Sequence, residues 1–227
     1  MDFSRMLGYT EALSKNNERT WFHDNHREYE LAQEDFLMVL DVMKFVLAKD
    51  APQIGDALLF ENPKNFMYRI PRDMRYSKNK TPYNPAFRAY LSPHKKDFLP
   101  LSYYLHISFD RCILETGAWP WETKQLGRLR EYIAYNFEEL EAIASENGLA
   151  IIGEQLKRTP RGFDAEHPAA EWLKYKFWLT EYSFTPDDMR DLDSFAEAAG
   201  RAVQRFEPFR QFLMGAFDDR ICTDEIE

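Results

Sequence analysis

Apolar residues recur at helical spacing in three long stretches of the chain. From Asn25 to Lys49, the residues Tyr29, Ala32, Phe36, Val39, Leu40, Met43, Val46 and Leu47 fall on one stripe, which Ala51-Pro52 ends. From Glu122 to Asn147, Leu126, Leu129, Ile133, Phe137, Leu140 and Ala144 repeat in the same way and Asn147-Gly148 is a stop signal, so one helix is expected there. A last helix, with Leu192, Phe195, Ala199, Val203 and Phe206 on its apolar face, runs to about Phe217. Thr185-Pro186-Asp187-Asp188 reads as its start, with Thr185 as N-cap and Asp188 reaching back. Residues 4–24 read as shorter helices broken near Lys15-Asn16-Asn17, with Trp21 and Phe22 as core anchors.

Between these stretches the period changes to two. Phe66, Tyr68 and Ile70 alternate with Asn65, Met67 and Arg69. Phe87, Ala89 and Leu91 alternate with Arg88, Tyr90 and Ser92, and Tyr103, Leu105 and Ile107 with Tyr104, His106 and Ser108. A turn at Asp110-Arg111 precedes Ile113, Ile151-Ile152 opens a short strand, and Lys176–Phe184 is a further, only partly alternating one. Adjacent strands with short turns predict an antiparallel or mixed sheet. The expected fold is α+β, a single domain over residues 1–217, with a central sheet carrying several long α-helices on one face and a frayed acidic tail at 218–227.

Composition adds limits. At 44% hydrophobic and 15% aromatic residues the chain can fill a large core, and no apolar run reaches the roughly 18–20 residues of a membrane span. The N-terminus lacks a basic stretch followed by an apolar one, so no secretory signal is expected. The two cysteines, Cys112 and Cys222, have no CxxC spacing, which predicts reduced thiols and a cytoplasmic location. There is no P-loop, GxGxxG, GxSxG or HExxH pattern, and no cofactor is expected. His23 and His26 share a helix face, but two ligands without a placed third read as a polar face, and no metal site is assigned. No feature sets an oligomeric state.

The charge is distributed unevenly. The chain carries a formal −9, yet Lys64–Lys96 holds nine Lys or Arg and one acid, Asp73, giving 9 − 1 = +8 and leaving −17 elsewhere. Arg69, Arg72, Arg75, Lys78 and Lys80 are spaced three, three, three and two apart. Residues 72–77 are expected to form one helical turn that puts Arg72 and Arg75 on one face, ended by Thr81-Pro82. Planar guanidinium forks suit carboxylate or phosphate oxygens. A small anionic ligand is therefore expected at Arg69, Arg72, Arg75, Lys78 and Lys80. A second basic loop, Lys157–Gly162, offers Arg158 and Arg161. Asp73 could orient an arginine or act as a base, and Tyr83 and His167 could bond or transfer a proton.

Three readings of the cluster stand side by side. In the first the ligand is a phosphorylated or polycarboxylate small molecule, with or without catalysis. In the second, Tyr68, Tyr76, Tyr83 and Tyr90, interleaved with the cations, stack the bases of a nucleotide or single-stranded RNA. In the third the arginines tie the sheet to acidic helices, Glu138, Glu139 and Glu141 among the partners, and bind nothing. His106, opposite Leu105 and Ile107, reads first as a hydrogen-bonded structural histidine.

The run Arg69-x-x-Arg72-Asp73-x-Arg75-Tyr76-x-x-Asn79-Lys80-x-x-Tyr83 resembles the signature of a widespread bacterial family of conserved hypothetical proteins, also found within longer fungal chains, the domain of unknown function 2461. The family usually has Phe at the position of Tyr76, and Asp or Asn at that of Asn79. Asn16–Phe22 with Tyr29, Leu156–Phe163, His167-Pro168 and Glu171–Lys174 resemble its other segments, so the likeness spans about residues 6–215. It implies no particular activity.

Overall fold

The computed structural model describes residues 1–93, 99, 101–120 and 122–218. Lys95 and Lys96 of the basic segment, Cys222 and all but the first residue of the expected acidic tail lie outside them. The elements in chain order are α1 (Phe3–Lys15), α2 (Arg19–Asp24), α3 (His26–Asp50), α4 (Pro52–Leu58), a 3-10 turn (Pro63–Phe66), β1 (Phe87–Leu91), β2 (Tyr103–Ile107), β3 (Cys112–Ala118), α5 (Thr123–Tyr135), α6 (Phe137–Glu146), α7 (Ala170–Leu173), β4 (Trp178–Ser183) and α8 (Leu192–Gly215). The strands form one antiparallel sheet in the order β1-β2-β3-β4, an α+β arrangement. No helix of the described residues is long and apolar enough to cross a membrane.

The described residues fall into two compact units, and β3, β4 and α8 each pass from one to the other. The first comprises Met1–Lys96, Tyr103–Leu114 and Tyr182–Val203. Its core follows the predicted stripes. Ala32, Phe36, Val39, Leu40, Met43 and Leu47 of α3 are buried, as are Phe87, Ala89 and Leu91 of β1 and Tyr103, Leu105 and Ile107 of β2. Phe36 meets Phe87 with ring centroids 5.5 Å apart. Alternation leaves Arg88, Tyr90, Tyr104 and His106 on the opposite face, half-buried. Trp21 and Phe22, expected in the core, are also only half-buried.

The second unit comprises Asp97–Ser102, Glu115–Glu181 and Gln204–Glu227. Leu129, Ile133, Leu140, Leu173, Trp178, Phe209 and Leu213 form its core. Within that core lies a charge pair. Arg210, 1% exposed, donates from Nε to Glu207 Oε2 at 2.8 Å, from Nη2 to Oε1 at 2.5 Å, and from Nη1 to the Leu101 carbonyl at 2.9 Å.

Four local expectations are corrected, each because a side chain competes for the backbone. Residues 66–70 are not a full strand. Asn62 accepts the Lys64 N–H with Pro63 at the first position, which starts a 3-10 turn, and pairing begins only at the Met67–Ala89 bridge. Residues 72–77 do not form a helical turn, because the Asp73 carboxylate takes the Arg75 N–H at 3.1 Å. The helix expected over 122–147 is two, α5 and α6, parted at Asn136, whose carboxamide donates to the Tyr132 carbonyl at 3.0 Å. Thr185 and Asp188 do exchange capping bonds, but they close a turn. Asp191 Oδ1, accepting the Ser194 N–H at 2.8 Å, caps the start of α8 at Leu192.

Replacing Arg210 by Ala strands the buried Glu207 carboxylate. Chemical denaturation of Arg210→Ala is expected to show a loss of about 3–5 kcal/mol, whereas Arg201→Ala, an exposed guanidinium 3.6 Å from Asp188, leaves a carboxylate still bonded by Tyr182 and Thr185 and should cost about 1 kcal/mol or less.

Candidate functional site

The basic segment of the first unit is held as a closed loop. Pro71 pairs with Tyr83, the Arg72 N–H donates to the Pro82 carbonyl at 2.8 Å, and the Asn84 N–H to that of Ile70 at 2.8 Å. A residue 66 positions away completes the closure. The Asn17 carboxamide donates to the Tyr83 carbonyl at 3.0 Å and accepts the Tyr83 N–H at 3.0 Å, clamping both backbone groups. The Tyr83 ring stacks on Phe22 with centroids 4.2 Å apart and planes at 18°. Asn17 was not among the candidate residues. Its only signal in the sequence was its place in the N-terminal run that resembles the family.

Inside the loop one acid serves one base. Arg75 donates to Asp73 from Nε at 3.0 Å and from Nη2 at 2.6 Å, an exposed pair, and this guanidinium holds the Asp73 carboxyl below the ordinary carboxylate range. Arg72 is held differently. Nη1 donates to Thr81 Oγ1 at 2.8 Å and Nη2 to Ser77 Oγ at 3.4 Å. The Thr81 hydroxyl in turn donates to Asn79 Oδ1 at 2.8 Å, which leaves its lone pairs for Arg72. Lys80 reaches the Met74 carbonyl at 3.1 Å. Among the described residues, Arg69, Arg72, Lys78 and Lys80 form no ion pair, and Arg69, Lys78 and Lys80 are exposed while Arg72 is half-buried.

Beside this loop, the half-buried face of β1 and β2 carries a second polar set. The Ser108 oxygen lies 2.7 Å from Asp110 Oδ1 and 2.9 Å from the Arg111 carbonyl, both acceptors, so its single proton must point to one of them. Ser108 can therefore only accept from His106 Nε2, 3.0 Å away. That fixes the proton on Nε2 and leaves Nδ1 to accept from the Tyr104 hydroxyl at 3.2 Å. Burial, then Arg111 and Arg88, push the His106 pKa down to about 4 against the opposing effect of Asp110. The imidazole is neutral at physiological pH.

The remaining candidates belong to the second unit. Arg158 and Arg161 are exposed on a loop that begins where the Leu156 N–H donates to the Lys174 carbonyl at 2.8 Å, and neither forms an ion pair among the described residues. Gly162 supplies the positive φ, +97°, that turns the chain there. His167 Nδ1 accepts the Ala169 N–H at 3.0 Å. His167 lines a cavity of about 520 Å³ with Tyr135, Phe137, Glu138, Glu139 and Glu141. Among the described residues no three His, Cys, Asp or Glu side chains are grouped to hold a metal ion.

The chain matches the conserved hypothetical protein family DUF2461 over residues 5–212 and belongs to it. No curated protein and no solved structure matches it.

Removing the Asn17 carboxamide leaves both Tyr83 backbone groups without partners. Asn17→Ala is expected to cost about 1–3 kcal/mol and to raise the hydrogen-exchange rate of the Tyr83 amide. A second expectation concerns acid. The folded-state pKa of His106, about 4, lies below the roughly 6.5 of an unfolded histidine. The unfolded chain binds the extra proton between these values, so the contribution of His106 to stability is full above pH 6.5 and fades as pH falls toward 4. Relative to His106→Gln, wild type should lose on the order of 1 kcal/mol across that window, solvent screening at a half-buried site included. Denaturation midpoints at matched pH values test this.

Proposed function

We propose that the loop from Arg69 to Thr81 binds a small oxyanion, a phosphate or carboxylate group, and that Arg72 is its anchor. The observation that carries this reading is the half-buried Arg72 guanidinium, which has two neutral hydroxyls as partners and no ion pair. Three of its five N–H donors have no protein acceptor among the described residues. The Ser77 and Thr81 oxygens orient the fork without neutralising it, so its charge is left for a ligand. Arg69, Lys78 and Lys80 enlarge the positive field around it. Asp73 orients Arg75 in this reading. Its depressed carboxyl is a weak base, which favours binding over proton transfer at this loop. The ligand is a phosphorylated or polycarboxylate small molecule. Two cysteines without CxxC spacing, Cys112 being a free thiol, support a cytoplasmic setting.

Thermal denaturation against phosphate, sulfate, citrate, sugar phosphates, nucleotides and short RNA tests the proposal. A ligand at 100 times its Kd should stabilise wild type by about 2.7 kcal/mol. Arg72→Ala should lose that shift while costing about 1 kcal/mol or less in the absence of ligand, because no carboxylate is left stranded. No shift from any anion, together with a variant destabilised by several kcal/mol, would make the loop scaffold only. Affinity that rises with RNA length and falls steeply with salt would transfer the site to nucleic acid.

A further inference from the structure

The first unit carries an apolar row that its own core does not use. Phe36, Val39, Leu40, Met43 and Leu47 of α3 are buried on one face. On an amphipathic surface helix the opposite face is expected to be polar. Its exposed residues Glu34, Met38, Asp41, Phe45 and Lys49 follow one another at steps of four, three, four and four, so they stand in one row. Two of them are large and apolar: Met38 is 48% exposed and Phe45 68%. Val42, half-buried, borders the row between them. Lys44 donates to Asp41 Oδ1 at 3.1 Å and to the Glu61 carbonyl at 2.8 Å. This holds the segment that carries Phe60, 95% exposed, along the Asp41 edge. Apolar residues scattered singly over a surface need no explanation, whereas aligned neighbours mark a contact surface.

The charges in the row point to what covers it. Asp41 is paired with Lys44. Glu34, one turn before Met38, and Lys49, one turn after Phe45, form no ion pair among the described residues. Glu34 and Lys49 lie equally far from the midpoint between Asp41 and Val42, and so do Met38 and Phe45. A two-fold axis at that midpoint runs two copies of α3 antiparallel. It sets Met38 against the partner's Phe45 and brings Glu34 within reach of the partner's Lys49, and each contact occurs twice. Parallel packing would instead set each end of the row against the same charge. The row is therefore complementary to itself in the antiparallel register.

We propose that the protein forms a two-fold dimer through the outer face of α3, with Met38 and Phe45 at its centre and Glu34–Lys49 pairs at its two ends. The row is about 22 Å long, which places the interface at the small end of the range for specific association and makes the dimer reversible. The surface uses no residue of the Arg72 loop and stands whether or not that loop binds an anion.

Sedimentation velocity over a concentration series up to about 1 mM tests this. Wild type should pass from monomer to dimer as concentration rises. Phe45→Ser changes an exposed position, so it should keep the wild-type melting temperature and weaken association about a hundredfold. Glu34→Lys and Lys49→Glu should each weaken it about tenfold, because each turns both end pairs into repulsions. Mixed together, these two variants should associate with each other, since every facing pair is then opposite in charge. The double variant Glu34→Lys with Lys49→Glu should dimerise as wild type does. A wild type that stays monomeric throughout the series, a dimer indifferent to Phe45→Ser, or single reversals that associate as tightly as wild type would each overturn the proposal.

Discussion

Five cations within twelve residues repel one another, and the fold must hold them without cancelling them. At separations near 6 Å each pair costs roughly 1 kcal/mol in water and about 3 kcal/mol at an effective dielectric of 20. The simplest remedy would be a set of carboxylates, and a chain with −17 outside the segment could supply them. The loop uses one, Asp73, and gives it to Arg75. Arg72 is steadied by the Thr81 and Ser77 hydroxyls and Lys80 by a carbonyl, groups that fix direction and leave charge intact. The closing force comes from outside the loop, from Asn17 on both backbone groups of Tyr83 and from the Phe22 ring. The cations left without an ion pair keep that mutual repulsion.

The same economy of carboxylates recurs on the outer face of β1 and β2. Arg88 has a carbonyl and an aromatic ring for company, and the neutral His106 is oriented by a chain of hydroxyls ending at Asp110. Both places share a physical signature: a guanidinium whose direction is fixed by neutral groups. In the second unit both solutions appear. Arg210 is wholly buried and bonded by Glu207, whereas Arg130 is held by the Leu173 and Tyr175 carbonyls.

Much of the fold was legible because burial imposes a period. The α3 stripe and the alternation in β1 and β2 gave the right elements and the right buried faces, and the alternation also placed His106 and Arg88 away from the core. What misled was local hydrogen bonding. Asn62, Asp73, Asn136 and Asp191 each divert a backbone group, and a hydrophobic pattern carries no trace of that competition. Of the site, the cation spacing was visible and the absence of ion pairs at Arg72 was not, since that depends on where every acid ends up. Asn17 and Tyr83 meet across 66 residues, a separation no local pattern reports. Arg88 lay within the basic segment but was passed over as a strand residue. His167 was read with Asp73 and Tyr83 as a proton-transfer candidate, and it lines a cavity that also holds Glu138, Glu139 and Glu141.

The threading of the chain through two units has a bearing on how the protein is made. The first unit takes its last segment from Tyr182–Val203, and the second opens at Asp97 and closes after Gln204. On the ribosome, where synthesis runs from the N-terminus at ~5–20 residues per second, α3 and the basic loop emerge long before α8, which helps to complete their unit. The Asn17 clamp on Tyr83, by contrast, needs only the first 83 residues. The early nascent chain therefore has a loop it can close while its core is unfinished, with apolar stripes waiting for partners still to be translated. For a chain threaded this way, the time between Asn84 and Val203 leaving the exit tunnel is when chaperones matter most.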